Sequence, residues 1–258
     1  MESNFVSGTD RQLQILQLVE RQQRISVADI CATFDVSEAT ARRDLETLAS
    51  EGRIQRVHGG AIVLTQAPPE QPILERQNEQ ADEKIHIGQS AAALVQEGET
   101  VFLGSGTTVL EAARALRGRH NLTVLTNSLP VVNALAGAEG ITVICLGGML
   151  RDREYSFIGH ITEQALAEVR ADLVFIGIRA IDLEAGLTND YLAETLTDRA
   201  ILRAARQIIV LADHTKLERV AAAYLAPLTA IQVLITDRQT PPEFTRQLEN
   251  RGLRVIRA

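Results

Sequence analysis

The sequence contains no tryptophan, and only 3% of its residues are aromatic, although 45% are hydrophobic. Its core must therefore be built mainly from Ala, Val, Leu and Ile. An excess of positive charge is also missing, because 26 Lys and Arg stand against 33 Asp and Glu, a net charge of −7. This balance excludes a generally basic coat for nucleic acid, so any such binding must come from locally placed arginines.

Cysteine is scarce as well, since Cys31 and Cys145 are the only two and neither belongs to a Cys-x-x-Cys motif. We expect both to be small buried hydrophobes in a reducing compartment. The histidines share no metal-ligand spacing, so no metal site is predicted. The sequence starts without a signal-peptide pattern and has no apolar run of the ~18 residues needed to cross a membrane. A cytoplasmic protein that does not bind membranes is therefore expected.

A chain of 258 residues suits one large domain with a smaller one attached. The aperiodic, proline-rich stretch from Thr65 to Pro72 predicts the boundary between them. We expect an N-terminal domain at 1–64, a linker and connecting helix at 65–96, and a C-terminal domain at 97–258. Within the connecting helix, expected from Ile73 to Gln96, Arg76 and Lys84 are interpreted as solvated or interdomain charges rather than ligand contacts.

The N-terminal domain has the pattern of three helices and a β-hairpin. The sequence predicts helices from Thr9 to about Gln22, from Ser26 to Phe34 and from Glu38 to Ser50. The hairpin is predicted from Arg53–Val57 and Ala61–Leu64, joined by a His-Gly-Gly turn. Three helices followed by a hairpin predict a winged helix-turn-helix, whose last helix can enter a DNA groove.

The third helix has an apolar stripe, and its arginines lie away from that stripe. Arginine reads guanine edges or binds phosphates, whereas a pair of arginines on an amphipathic helix is often only a solvated face. The preceding helices and the hairpin favour the DNA-binding interpretation. The residues predicted to contact double-stranded DNA are Ser37, Glu38, Ala39, Thr40, Arg42, Arg43, Arg53, Arg56 and His58.

The C-terminal domain alternates short apolar runs with helical stretches. Strands are predicted at Val101–Leu103, Leu122–Leu125, Val143–Leu146, Leu173–Ile176, Ile208–Leu211, Val233–Ile235 and Leu253–Ile256. Helices are predicted at Val109–Leu116, Pro130–Ala136, Ile161–Val169, Leu192–Ala205 and Pro242–Asn250. Continuous apolar strands that alternate with helices indicate an α/β fold with a mainly parallel, doubly wound sheet covered on both faces.

Polar and glycine-rich residues follow several of these strands, at the carboxyl edge where parallel sheets bind ligands. A strand, then Gly104-Ser-Gly-Thr-Thr108, then a helix is a geometry that holds phosphate, although such a loop can also be only a tight turn. Helix capping, a plain turn and a solvated lysine remain alternatives for the later strand ends. The residues predicted to bind the effector are Gly104, Ser105, Gly106, Thr107, Thr108, Thr126, Asn127, Ser128, Gly147, Gly148 and Lys216.

Two sets of motifs resemble the DeoR family of bacterial transcriptional regulators. The first is S-E-A-T-A-R-R-D-L followed by L-x-x-x-G-x-I-x-R-x-H-G-G-A, and the second includes L-G-S-G-T-T, L-T-N-S, F-I-G-I-R-A and A-D-H-T-K. The resemblance implies a repressor of a carbohydrate catabolic operon, controlled by a phosphorylated sugar or sugar alcohol and needing no cofactor. It also implies a sensor domain similar in fold to ribose-5-phosphate isomerase. Ala41, Gly104 and Ala180 depart from the residues common in the family.

Two further expectations concern activity and assembly. The alternative to a regulator is a sugar-phosphate isomerase-like enzyme, with Asp213 or Glu194 as base and Lys216 as electrostatic stabiliser. An isomerase has no use for a winged helix, so the N-terminal domain favours a regulator without catalytic residues. We expect a homo-oligomer, a dimer or tetramer, because the weakly charged DNA module needs a second copy on a repeated half-site.

Overall fold

The computed structural model describes residues 8–22, 24–50, 54–57, 59–63 and 71–258. The chain divides into two compact units, Met1–Thr65 and Gln66–Ala258. The first unit contains helices α1 (Gly8–Gln22), α2 (Val27–Phe34) and α3 (Glu38–Ser50), and strands β1 (Arg24–Ser26), β2 (Ile54–Val57) and β3 (Gly60–Val63). The three helices and the β2–β3 hairpin confirm the predicted pattern.

Strand β1 is an addition to that pattern, because the sequence indicated only a break between the first two helices. It pairs antiparallel with β3, and the strand order is β1-β3-β2. A Cβ at Gly60 would lie 2.1 Å from the Ile25 carbonyl oxygen, so glycine permits this close approach. Helix α2 begins where the sequence predicts, with a capping box in which the Asp29 amide donates to Ser26 Oγ at 3.0 Å and the Asp29 carboxylate accepts from the Ser26 amide.

The core of the first unit is aliphatic, as its composition predicts. It is formed by Ile15, Leu16, Val19, Ile25, Val27, Ile30, Ala41, Leu45, Leu48, Ile54 and Ala61. One carboxylate is buried beside this core: Asp44 on α3 accepts hydrogen bonds from Arg11 Nε at 2.6 Å and Gln12 Nε2 at 2.9 Å. These bonds satisfy the buried charge and fix α1 against α3.

The second unit is built around a seven-stranded sheet with the order β15-β14-β12-β9-β4-β5-β6, in which every neighbouring pair is parallel. Its strands are β4 (Thr100–Leu103), β5 (Leu122–Thr126), β6 (Ile141–Cys145), β9 (Ala171–Gly177), β12 (Ala205–Leu211), β14 (Val233–Thr236) and β15 (Arg254–Arg257). These are the seven strands predicted from the apolar runs. Two apolar clusters are built on these strands, one containing Phe102 and Val174 and the other Val101 and Phe175, as alternation across a sheet requires.

The part of this unit that the structure describes, residues 71–258, contains seven α-helices: α4 (Ile73–Arg76), α5 (Ala81–Ala92), α6 (Thr107–Leu116), α7 (Leu129–Leu135), α8 (His160–Ala167), α9 (Leu192–Arg203) and α10 (Pro242–Asn250). The last five are those predicted. The single connecting helix expected over Ile73–Gln96 is wrong, because a turn with Gln80 at φ 48° separates α4 from α5. Buried Ile87 and Ala91 also place α5 in the core of the sheet unit.

Five short strands of the second unit were not predicted. They are β7 (Met149–Arg151), β8 (Ser156–Ile158), β10 (Ala180–Asp182), β11 (Gly186–Asn189) and β13 (Ala223–Ala226). The first two form an antiparallel hairpin, and the other three form a small sheet with the order β10-β11-β13. Strands of three or four residues are too short for a clear alternation in sequence, so their pairing depends on tertiary contacts.

The expectation for cysteine was wrong at Cys145, which is exposed on the edge strand β6. Cys31 is partly buried against the core of the first unit. Within the described residues, no helix combines the length and apolar character required to cross a membrane.

We predict that Gly88→Ala destabilises the second unit. A Cβ at Gly88 would lie 2.6 Å from the backbone carbon of Glu111, so α5 and α6 would have to separate. Overpacking of this kind costs about 1–3 kcal/mol, and we expect the upper part of that range because backbone cannot yield. Urea unfolding followed by circular dichroism measures the change. Gly118→Ala is the control, since nothing lies within 4 Å of its added Cβ and it should change stability little.

Candidate functional site

The first two turns of α3 form an exposed polar surface on the first unit. Ser37 begins the helix, its hydroxyl accepting from the Thr40 amide at 3.3 Å. Glu38, Ala39 and Arg43 are exposed. On the opposite side of the same helix, Ala41, Leu45 and Leu48 are buried in the core, which fixes the exposed side toward solvent.

The two arginines of this surface differ in their partners. Arg42 Nη2 lies 3.2 Å from Glu38 Oε2, one helical turn earlier. Arg43 forms no ion pair or side-chain hydrogen bond with any residue that the structure describes. Arg43 is therefore the guanidinium that can meet a ligand without breaking an existing contact.

Arg56 on β2 is half-buried and lies against α3. Its Nη1 donates to the Arg42 carbonyl oxygen at 3.0 Å and lies 3.7 Å from Glu46 Oε1. These contacts tie the hairpin to the helix. Arg53 and His58, also predicted to contact DNA, lie outside the described residues.

A pocket opens at the carboxyl edge of the seven-stranded sheet in the second unit, with an empty volume of about 720 Å³ that includes its opening to solvent. Five of the predicted effector residues line it, namely Ser105, Gly106, Thr107, Thr108 and Lys216. Other lining residues include Arg76, Glu79, Lys84, Glu154, Arg179, Asn189, Asp190, Glu194 and Asp198.

The glycine-rich loop brings the amino end of α6 to this pocket. Gly106 precedes the helix with φ 114°, a conformation that favours glycine, and no side chain caps the helix. Thr107 and Thr108 are 5% and 8% exposed, and neither hydroxyl is hydrogen-bonded to a described residue. The open amide groups and the helix dipole give this end a partial positive charge.

Two lysines add full positive charges to the pocket. Lys84 on α5 is 4% exposed and donates to the Arg76 carbonyl oxygen at 2.7 Å, while Lys216 makes no ion pair with a described carboxylate. Burial lowers the pKa of both ammonium groups, although the Asp213 carboxylate opposes this shift. The expectation that Lys84 is solvated or interdomain was wrong, because α5 packs on the sheet and places it in the pocket wall.

Asp213 positions Lys216 through a short turn. Its Oδ1 accepts from the Thr215 amide at 2.9 Å, which caps the 3-10 helix His214–Lys216. The second arginine of the lining, Arg179, follows β9 and contacts Asp190 Oδ2 at 2.8 Å.

Carboxylates gather in another part of the lining. Glu194 on α9 accepts from Ser156 Oγ at 2.7 Å and Ser105 Oγ at 3.4 Å, and it pairs with Arg151. Asp198 lies one turn further along and accepts from Asn189 at 2.8 Å. Burial, together with the charges of Glu194 and Glu154, raises the pKa of Asp198 well above its usual range.

Six predicted effector residues do not line the pocket: Gly104, Thr126, Asn127, Ser128, Gly147 and Gly148. Three of them form hydrogen bonds that involve backbone carbonyl oxygens. Thr126 Oγ1 donates to the Leu103 carbonyl oxygen at 2.6 Å, Asn127 donates to that of Phe157 at 3.0 Å, and Gly147 accepts from Thr162 at 2.9 Å. The structure thus gives Thr126, Asn127 and Gly147 supporting contacts, whereas Ser128 Oγ is buried without a hydrogen bond to a described residue.

Sequence reasoning left out several lining residues, including Arg76, Glu154, Asn189 and Asp198. Arg76 and Glu154 pair with each other from α4 and the β7–β8 hairpin, which no strand-end pattern connects. Asp198 was detectable only as a carboxylate four residues after Glu194, on the same face of a predicted helix.

Comparison with known proteins assigns both units. Residues 11–67 match the DeoR-like helix-turn-helix domain, and residues 79–238 match the DeoR C terminal sensor domain. The chain belongs to the DeoR family. The first unit of this DeoR-family protein is therefore a DNA-binding module, and the second is a sensor domain.

Two curated relatives illustrate the family. The transcriptional repressor AccR of Agrobacterium fabrum is 34% identical over 92% of this chain and 92% of its own length. The glycerol-3-phosphate regulon repressor of Escherichia coli is 32% identical over 96% of this chain and 98% of its own length. Both relatives match nearly the whole chain and are named repressors, so this DeoR-family chain is a regulator. The isomerase alternative was wrong.

Ribose 5-phosphate isomerase A from Methanocaldococcus jannaschii is among the solved structures that this DeoR-family chain is similar to. The two share 19% identity with a TM-score of 0.41, over 54% of this chain and 55% of the isomerase chain. A likeness of this extent assigns no activity.

Proposed function

We propose that the protein represses a sugar-related operon and that a phosphorylated sugar or sugar alcohol, bound in the sensor pocket, controls its binding to DNA. The observation that carries the proposal is the open amino end of α6, which begins with two threonine residues that are more than nine-tenths buried, in the same pocket as Lys84 and Lys216.

The chemistry of this end suits a phosphate. A phosphate monoester carries about −1.5 to −2 charge near pH 7 and several strong acceptor oxygens. The backbone amides of Gly106–Thr108 and the hydroxyls of Thr107 and Thr108 are donors, and Lys216 adds a point charge. A neutral sugar would offer these donors no anionic acceptor, so it should bind much more weakly.

The relatives support the same class of ligand and the same direction of control. One of them carries glycerol-3-phosphate, a phosphorylated sugar alcohol, in the name of its regulon, and both are named repressors. At about one-third identity over nearly the whole chain, they favour repression but do not specify the effector.

The position in the chain of two pocket cations suggests how ligand binding affects the DNA-binding module. Arg76 and Lys84 come from α4 and α5, the first described elements after the helix-turn-helix unit in the chain. A ligand changes DNA affinity only if it binds two arrangements of the protein unequally. We infer that contacts between the ligand and this segment, which follows the linker, supply such a preference.

Assembly as a dimer or tetramer fits the composition of the DNA module. Residues 1–65 contain seven Arg and no Lys against nine Asp or Glu, so one module gains little general attraction to DNA. The sensor unit exposes large apolar side chains on β6, β7 and α8: Ile144, Met149, Leu150 and Ile161. We infer that the sensor units pair and present two modules to repeated half-sites.

We predict that Arg43→Ala weakens operator binding by about 1–3 kcal/mol, the range for loss of a bidentate base contact. Arg43 is exposed on α3 and has no competing partner among the described residues. A gel-shift titration with full-length protein measures the affinity. Arg246→Ala on α10 is the control, because it removes an exposed arginine from the sensor unit. If both Arg42→Ala and Arg43→Ala bind the operator with unchanged affinity, these arginines of α3 do not recognise DNA.

We predict that Thr107→Asp abolishes the response to the effector while operator binding without effector persists. The new carboxylate would occupy the position proposed for the phosphate and repel it. Thr107→Asn is the matched control, since it has a similar size and no charge, and it should keep most of the response. Gel shifts with a panel of sugar phosphates measure both variants. A normal response from Thr107→Asp would locate the effector site elsewhere.

We predict that the wild-type protein sediments as a dimer or a larger oligomer at micromolar concentration. Met149→Lys should shift the distribution toward the 28.2 kDa chain, because a charge would enter an apolar interface. Asn250→Lys, an exposed change of equal charge on α10, should not. Wild type that sediments as a monomer both with and without DNA contradicts the proposed assembly.

A further inference from the structure

A carboxylate of the protein itself lies against the loop that is proposed to hold the effector phosphate. Glu154, in the turn of residues 152–155 between β7 and β8, is 5% exposed and lines the pocket. Its Oε1 lies 4.0 Å from the position that a Cβ at Gly106 would take, beside the open amino end of α6. The protein therefore places a negative charge of its own where the proposed function places the charge of the ligand.

The other carboxylate oxygen of Glu154 is paired with a cation of the same pocket. Oε2 forms an ion pair with Arg76 Nη2, and both side chains are largely buried, 11% exposed for Arg76 and 6% for Glu154. Arg76 Nε also donates to the Gln71 carbonyl oxygen at 2.9 Å, and the Arg76 carbonyl oxygen accepts from Lys84 Nζ at 2.7 Å. Two contacts besides that with Glu154 therefore hold Arg76 in the pocket wall.

A second carboxylate, that of Glu194, also reaches the loop but has different partners. Glu194 Oε1 accepts from Ser105 Oγ at 3.4 Å and from Ser156 Oγ at 2.7 Å. Its cation is Arg151, which is not among the described residues that line the pocket. A ligand in the pocket therefore meets the cation that pairs with Glu154 but not the one that pairs with Glu194.

A phosphate and the Glu154 carboxylate cannot both stay at the loop without cost. A phosphate monoester brings about −1.5 to −2 charge near pH 7. Like charges within ~4–6 Å of each other repel in a buried site and shift equilibria by about one to three powers of ten. The planar guanidinium of Arg76 matches a phosphate as well as a carboxylate. Exchange of one anion for the other thus keeps the arginine paired.

We propose that Glu154 is an internal competitor of the effector phosphate: its carboxylate lies at the loop and pairs with Arg76 until the phosphate displaces it, and it thereby sets the affinity of the site. The proposal rests on the proposed function and adds a residue that opposes binding. Rotation of a flexible glutamate side chain is sufficient for the exchange, so the sheet does not have to move. A ligand with a single negative charge gains little, because it only substitutes one unit charge for another.

Isothermal titration of the full-length protein with sodium phosphate, at fixed ionic strength, tests the proposal. We expect Glu154→Gln to bind phosphate at least about tenfold more tightly than wild type, because it removes the competing charge and leaves Arg76 available. A residue that only supported the pocket wall would give the opposite result, since its replacement would loosen the site and weaken binding.

A neighbouring carboxylate provides the matched control. Asp152 lies in the same turn, is exposed and does not line the pocket, so Asp152→Asn removes a charge of the same sign without changing the loop. It should alter phosphate affinity by less than about twofold, because salt and solvent screen exposed charges.

A second variant covers loss of folding in Glu154→Gln, which leaves the buried Arg76 without this carboxylate. In Glu154→Asp, the shorter side chain keeps a negative charge on the turn but withdraws it from the loop. Its phosphate affinity should therefore lie between those of wild type and Glu154→Gln. Thermal unfolding without phosphate verifies the fold of each variant, and Glu154→Asp decides the test if Glu154→Gln is unfolded.

Two results overturn the proposal while the phosphate site itself survives. The first is equal or weaker phosphate binding by folded Glu154→Gln, or by Glu154→Asp where the former does not fold. The second is an equal gain in Asp152→Asn, because the effect would then be one of overall charge. If neither wild type nor the Glu154 variants bind inorganic phosphate, the proposal and the proposed phosphate site both fail.

Discussion

The close pairing of β4 with β9 at the centre of the parallel sheet is the constraint on which the sensor pocket depends. The Gly104 amide donates to the Phe175 carbonyl oxygen at 2.9 Å, so the hydrogen bonding continues one residue beyond the end of β4. A Cβ at Gly177 would lie 3.3 Å from the Ser105 carbonyl oxygen, which shows how closely the two strand ends approach. The Gly104–Thr108 loop and Arg179 therefore lie at the same edge of the sheet, although they are more than 70 residues apart in the chain.

The parts of the fold that sequence reasoning predicted share a physical property: each is determined by local pattern. Each of the seven parallel strands contains a continuous apolar run, including the partly exposed edge strands β6 and β15, so all seven were recognised. The Gly104–Thr108 loop was recognised because glycine and threonine are typical where a strand turns into a helix. The capping box at Ser26 and Asp29 is equally local. In the DNA module, the stripe of Ala41, Leu45 and Leu48 was enough to orient α3.

The parts that were not predicted depend on partners distant in sequence. Strand β1 exists because β3 lies beside it, and the carboxylate of Asp44 is buried because Arg11 and Gln12 on another helix satisfy it. Lys84 carries the pattern of a solvated residue on a charged helix, and the packing of α5 on the sheet and on α6 buries it. The cluster of Glu154, Glu194 and Asp198 in the pocket lining combines α9, β11 and the β7–β8 hairpin, a combination that no local motif encodes.

The shortness of α4 gives the pocket a further property. One helical turn is below the length at which a helix persists alone in water, so α4 depends on its tertiary contacts. Those contacts are the Ile73 amide to the Arg153 carbonyl oxygen at 2.8 Å, and the pairing of Arg76 with Glu154 in the pocket wall. A molecule that binds beside Arg76 suppresses local opening of this segment, which slows its amide hydrogen exchange. Ligand binding can then act by lowering the conformational entropy of this single helical turn, without displacing the sheet.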